Sequence, residues 1–180
     1  MAKLLIVYGT TEGQTAKIAQ HIGHAARSLG HEASVRHAPE VADGEVAAHD
    51  AVIVGASLHE GRYQRDVRSF IERHAALLGS RPSAFFSVSL AAASRDEDER
   101  AEPLRIAGEF TSKAGWTPDR IASFAGALKY TQYSWLKRAV MKRISRQEGG
   151  DTDTSQDFEY TDWNDVERFV ERFCAALPAG

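Results

Sequence analysis

The sequence predicts an α/β domain with a doubly wound, five-stranded parallel sheet and helices on both faces. Three observations predict it. Four apolar runs, at residues 3–8, 51–56, 84–90 and 121–127, are separated by longer stretches, several with helical periodicity. The run Ala51-Val52-Ile53-Val54-Gly55-Ala56 is nearly continuous rather than alternating, as expected of a strand covered on both faces. A weaker candidate from Glu32 to His37 supplies the fifth strand, and alternating strands and helices imply right-handed parallel crossovers.

The helices follow in order. Residues 14–29 return Ile18, Ile22, Ala25, Ala26 and Leu29 to one side, and Gly30 supplies the C-cap. A second helix runs from Tyr63 to Leu78 and is ended by Gly79, before Pro82. A third occupies residues 101–114 and stops near Gly115. The last begins around Asp162, whose carboxylate can cap it, and carries Val166, Phe169, Val170 and Phe173 on one face. Two stretches lie outside this plan. Residues 94–102 read as a charged loop beyond a central strand, where open sheets place ligand loops. Residues 129–150 read as an elaborated connection before the last helix.

At 180 residues the chain reads as one domain, 1–180, large enough to support its core unaided. With 25 acidic and 22 basic residues the net charge is −3, so global charge makes no case for nucleic acid. The one cysteine, Cys174, excludes an internal disulfide framework and falls in a helical pattern as a small packing residue. No apolar stretch has the length of a signal segment or a membrane span, so a cytoplasmic setting is expected. No metal site is expected.

The chemical signal lies where the first strand meets the first helix, in Thr10-Thr11-Glu12-Gly13-Gln14-Thr15. Hydroxyls of Thr10, Thr11 and Thr15 can donate to phosphate oxygens, amides from Glu12 to Thr15 emerge at the incipient helix, and Gly13 permits close backbone approach. The same residues also suit a helix cap with no ligand. The lysine loop of nucleotide triphosphatases and the three-glycine dinucleotide fingerprint are both missing, which favours a monophosphate.

Tyr8-Gly9-Thr10-Thr11-Glu12-Gly13-Gln14-Thr15 resembles the FMN phosphate loop of the flavodoxin superfamily, with Glu12 where threonine is frequent. Four further sets are similar to the menaquinone-dependent protoporphyrinogen IX dehydrogenase family: Gly55-Ala56-Ser57 with Tyr63, residues 83–88, residues 126–130, and residues 149–154 followed by Tyr160-Thr161-Asp162-Trp163. The resemblance spans nearly the whole chain. It implies a flavodoxin-like fold, FMN as cofactor, and oxidation of protoporphyrinogen IX to protoporphyrin IX in haem synthesis, with menaquinone or ubiquinone taking the electrons.

In such a fold Ser57, Leu58, His59, Gly61, Tyr63, Ser89 and Leu90 come to the isoalloxazine ring. Gly61 provides a sharp turn, Leu58 excludes water, and Tyr63 either stacks on the ring or starts a helix at the core. His59 is the one candidate for proton transfer, with a plain hydrogen-bonding role as the alternative. Arg62 or Lys129 near the mouth would attract propionates. Two stretches depart from the family. His59-Glu60 replaces a basic, aromatic pair before Gly61, and residues 95–102 are acidic where the family's loop is often basic, which weakens propionate attraction there.

Between 129 and 147 the charged residues are Lys129, Lys137, Arg138, Lys142, Arg143 and Arg146, with no Asp or Glu. Trp135, Leu136, Ala139, Val140, Met141 and Ile144 recur among them at helical spacing. Such a basic amphipathic stripe either packs on its own domain or lies on an anionic membrane, here the cytoplasmic face of the inner membrane. Other functions compatible with the sequence are a flavodoxin-type electron carrier, an FMN-dependent quinone reductase, and a membrane-associated scaffold without catalysis. A homo-oligomer is compatible with each.

Overall fold

The computed structural model describes residues 1–42, 44–128 and 158–178. The expected architecture is observed. Strands β1 (Lys3–Gly9), β2 (Glu32–His37), β3 (Ala51–Ser57), β4 (Ser83–Ser89) and β5 (Arg120–Ala125) form one sheet in the order β2-β1-β3-β4-β5. Every pairing in it is parallel. Helices α1 (Gln14–Ser28), α2 (Arg65–Gly79), α3 (Glu97–Lys113) and α4 (Trp163–Ala175) provide the covering layers. Two short strands, β6 (Ala127–Leu128) and β7 (Phe158–Glu159), pair antiparallel beside the main sheet.

Alternation along each strand decides which helix it meets. Leu4 and Ile6 of β1 join Ile53, Phe86 and Phe124 beneath α1 and α4, where Ile18, Ile22, Val166, Val170 and Phe173 close the layer. The intervening Leu5 and Val7 join Val52, Val54 and Phe85 beneath α2 and α3, against Phe70, Ile71, Ala107 and Trp116. All seven residues of β3 and all seven of β4 are buried, which explains why neither carries a charge and why their polar members are small serines, Ser57, Ser83, Ser87 and Ser89. Each fully buried Leu, Ile or Phe contributes about 1.5–3 kcal/mol relative to exposure. Gly55 is required by this packing. Its partner in the register is Phe86, and a Cβ at position 55 would lie 1.9 Å from Phe86 Cζ.

The third helix differs from expectation. Residues 97–102, expected in a charged loop, form its first turns. Asp96 caps them by accepting from the amides of Asp98 and Glu99 at 2.9 and 3.1 Å, and Glu97, Asp98 and Glu99 place negative charge at the positive end of the helix dipole. The acidic run is therefore a helix start. The second helix begins at Arg65 rather than Tyr63, because Gln64 keeps extended backbone (φ −60°, ψ 140°). The basic, amphipathic 129–150 connection expected from the sequence lies outside the described residues.

Candidate functional site

The strand order reverses between β1 and β3: the chain leaves β1 for β2 on one side, then returns to β3 on the other. Open α/β sheets bind ligands at the carboxyl ends of strands beside such a reversal. Four segments meet that edge, namely residues 10–13 after β1, 58–64 after β3, 90–94 after β4 and Gly126 after β5.

The start of α1 is unlike those of α3 and α4. Its N-cap is Gly13, left-handed at φ 90°, with no side-chain hydrogen bond to the first amides and no acidic residue in the first turn. Helix α4, by contrast, is capped by Asp162, which accepts from the amides of Asn164 and Asp165 at 2.9 and 3.3 Å. An uncapped helix N-terminus without local negative charge suits an anion. The threonines are not caps: Thr10 Oγ1 accepts from the amide of Gly13 at 2.9 Å and so shapes the turn. Thr15 is fully buried and its hydroxyl has no partner. A buried, unpaired hydroxyl costs about 1–3 kcal/mol, and a phosphate oxygen at the helix start would satisfy it. These residues fit a phosphate monoester. Thr11 is exposed, and Glu12 and Gly13 are half-buried.

Gln14 is 5% exposed and reaches away from the loop, donating from Nε2 to Thr161 Oγ1 at 2.9 Å. Thr161 donates in turn to the Ala125 carbonyl at 2.7 Å. Gln14 Oε1 has no partner, and as an acceptor it suits a ligand hydroxyl rather than a phosphate oxygen. Lys17 Nζ lies 3.1 Å from Glu159 Oε2, while Trp163 donates to Glu159 Oε1 at 3.0 Å. Partial burial works to raise the Glu159 carboxyl, but hydrogen bonds from Lys17, Gln14 and Trp163 and the Lys17 charge hold it below its ordinary value.

After β3 the chain makes a tight hairpin. His59 and Arg62 exchange backbone hydrogen bonds at 3.0 and 2.9 Å, and Glu60 and Gly61 both have positive φ, 50° and 73°. That is the backbone of a mirror-image type I turn, in which glycine is favourable and glutamate is strained. The amide of Leu58 still bonds the Val88 carbonyl at 2.8 Å, so Leu58 is anchored to β4 and half-buried, whereas His59 and Gly61 are exposed. Ser57 and Ser89, each 7% exposed, end the two central strands, and Leu90 is half-buried beyond them.

Tyr63 is held from within. Its hydroxyl donates to Ser87 Oγ at 2.8 Å, and its ring packs edge-on to Phe85 and tilted against Phe110, with centroids 5.4 and 4.6 Å away. Of the two roles open in the sequence, core packing is the one these contacts describe; stacking on a ligand would use the ring surface they leave.

Gln64 was not legible as a site residue. Its amide nitrogen lies 3.0 Å from Thr11 Oγ1, 3.1 Å from the Ser57 carbonyl and 2.5 Å from Ser57 Oγ, joining the first and second loops. The available signal was a glutamine immediately before α2, where Ser, Thr, Asp or Asn usually stands.

Strand order, the uncapped start of α1 and the hairpin all suit the flavodoxin domain family, to which this chain belongs; the family's model matches residues 5–155. The chain is 37% identical over 168 residues to the protoporphyrinogen IX dehydrogenase (quinone) of Escherichia coli (strain K12), covering 93% of this chain and 92% of that protein. To the enzyme of the same name from Leishmania major it is 35% identical over 180 residues, covering 98% of this chain and 76% of the other. Solved structures agree on the fold. A short-chain flavodoxin associated with a non-canonical PDU bacterial microcompartment superposes with a TM-score of 0.65 at 11% identity, over 99% of this chain and 100% of that one. A Streptococcus pneumoniae TIGR4 flavodoxin gives 0.61 at 17% identity, over 98% and 100%.

Burial pushes the Tyr63 phenol up to about 12, against the smaller opposing effect of its bond to Ser87. An ordinary tyrosine titrates near 10. The folded value is the higher one, so the stability linked to Tyr63 is complete below about pH 10 and is lost as pH rises towards about 12. A near-ultraviolet alkaline titration should show one phenol ionising late, and Tyr63→Phe should remove that step. Ionisation of every tyrosine near 10 in the folded protein would contradict the packing.

Proposed function

We infer that the protein oxidises protoporphyrinogen IX to protoporphyrin IX with FMN as cofactor and a respiratory quinone as acceptor. The observation that carries this reading is the 37% identity to a protoporphyrinogen IX dehydrogenase across 93% of the chain, against 11% and 17% to the two solved flavodoxins that share its fold. The substrate loses six electrons and six protons in three two-electron steps, and three quinones become three quinols. Bound FMN supplies the two-electron carrier between them.

The chain's own residues bind and orient that carrier. Thr10, Thr11, Gly13, Gln14 and Thr15 hold its phosphate end, with Thr15 donating its otherwise unpaired hydroxyl. Glu12 contributes its backbone amide, since a carboxylate turned inward would oppose a dianion. Ser57, Leu58, His59, Gly61, Tyr63, Ser89 and Leu90 surround the ring, where Leu58 excludes water and the exposed His59 is placed to exchange protons with solvent. Among the described residues no helix is long and apolar enough to cross a membrane. The composition of residues 129–147, basic side chains among apolar ones, suits contact with the anionic cytoplasmic face of the inner membrane, where a lipid-soluble quinone is found.

Three measurements test this reading. Thr15→Val should raise the dissociation constant for FMN by about 10-fold or more, the loss of one hydrogen bond to a charged group, while riboflavin binding changes little; equal affinity of both proteins for FMN would remove Thr15 from the phosphate site. Anaerobic turnover should yield protoporphyrin with menaquinone or ubiquinone analogues. FMN binding without turnover would reject the substrate and leave an electron carrier or quinone reductase. In liposome flotation, Trp135→Ser with Leu136→Ser should abolish recovery with anionic vesicles, and equally poor flotation of the unaltered chain would reject the membrane proposal.

A further inference from the structure

Gln64 ties together two loops that leave different strands. Its Nε2 lies within hydrogen-bond distance of Thr11 Oγ1 (3.0 Å), of the Ser57 carbonyl (3.1 Å) and of Ser57 Oγ (2.5 Å), and the two hydroxyl oxygens are themselves 3.4 Å apart. The Ser57 carbonyl decides the orientation of the amide. A carbonyl cannot donate, so nitrogen must face it, and the reverse orientation would set two acceptors against each other. Gln64 Oε1 is thereby turned towards Gly9, where it is buried without a partner and would lie 3.2 Å from a Cβ at that position. An amide left half-satisfied in this way is costly unless its donating half does something.

We propose that Gln64 is a positioning residue that sets the polarity of the loop hydroxyls: by donating to Thr11 and Ser57 it leaves the Thr11 hydrogen directed outward, as an obligate donor to the phosphate of the bound flavin. The proposal rests on the FMN reading above. Its chemistry is that of a relay of hydrogen bonds. A hydroxyl has one hydrogen and two lone pairs, so Thr11 Oγ1, once it accepts from the Gln64 amide, can give its hydrogen either to Ser57 Oγ, at a long 3.4 Å, or to a phosphate oxygen, whose charge makes it the stronger acceptor. Acceptance from a donor also polarises the O–H bond and strengthens its onward bond. Thr11 is exposed at the loop, where an anion can reach it, whereas Ser57 is 7% exposed and serves as the buried post to which the amide is fixed. Gly9 completes the arrangement by leaving room for Oε1 and for Val67, whose Cγ2 would lie 2.4 Å from a Cβ there.

A double-mutant cycle on the full chain tests the relay, with FMN and riboflavin titrated into the apoprotein and followed by flavin fluorescence. Gln64→Met should weaken FMN about 10-fold and riboflavin less than about 3-fold, because only FMN carries the phosphate. Thr11→Val should do the same. The double variant should be no worse than either single one, since both remove a single relay. Gln64→Glu, which accepts hydrogens instead of donating them, should weaken FMN further than Gln64→Met and still bind riboflavin, which shows that the fold persists. Equal loss of both flavins in Gln64→Met, or additive losses in the double variant, would overturn the proposal in favour of a plain structural brace. An unaltered chain that binds neither flavin would overturn the cofactor reading beneath it, a result distinct from either.

Discussion

Parallel pairing denies the five strands of the sheet hairpin connections, so each must return across a face before the next begins. That constraint generates most of what is seen. Helices must lie on both sides, which buries β3 and β4 completely and keeps charged residues out of both. All carboxyl ends then share one edge, and the loops that follow β1, β3, β4 and β5 become neighbours although they are far apart in the chain. The close Gly55–Phe86 contact belongs to the same constraint, since a strand covered twice has no free side on which to place a methyl group.

Against this well-satisfied frame, the few unsatisfied groups stand out by position. Among the described residues the buried side-chain atoms without partners are Gln14 Oε1, Thr15 Oγ1, Gln64 Oε1 and Ser123 Oγ of β5, and the first three belong to the first turn of α1 or to the residue that braces its loop. Helices α3 and α4, remote from any proposed ligand role at their starts, carry carboxylate caps. In the proposed phosphate site, these donors and acceptors at α1 are already placed and already desolvated, so that little ordering is left to oppose binding.

The sequence made the frame legible because burial on two faces writes itself into composition, and alternation with right-handed crossovers gives a doubly wound sheet, whereas the order of the strands comes from the structure. It misplaced the start of α3 because an acidic run reads as solvated loop; only the geometry of the Asp96 cap reveals the extra turn. The uncapped turn before α1, where a phosphate is proposed, was legible residue by residue, since Gly13 and the threonines mark it. Gln64 was not, because its role depends on a carbonyl and a hydroxyl seven residues upstream and a threonine 53 residues away. Tyr63 was ambiguous for the related reason that stacking and core packing require the same ring, and Phe85 and Phe110 reach it only in the folded sheet.

The β6–β7 pair has a consequence for the connection that it closes. Ala127 pairs with Glu159 and Leu128 with Phe158, the Tyr160 amide bonds the Gly126 carbonyl at 3.0 Å, and Thr161 is fastened to Ala125 and Gln14. The ends of the connection that follows β5 are therefore hydrogen-bonded to each other like the legs of a hairpin. Loop-closure entropy grows only slowly with length, so a brace at the base of a connection makes its two ends nearly indifferent to how long it is. Because Thr161 joins Ala125 to Gln14, the same brace fastens the first turn of α1 to the end of β5.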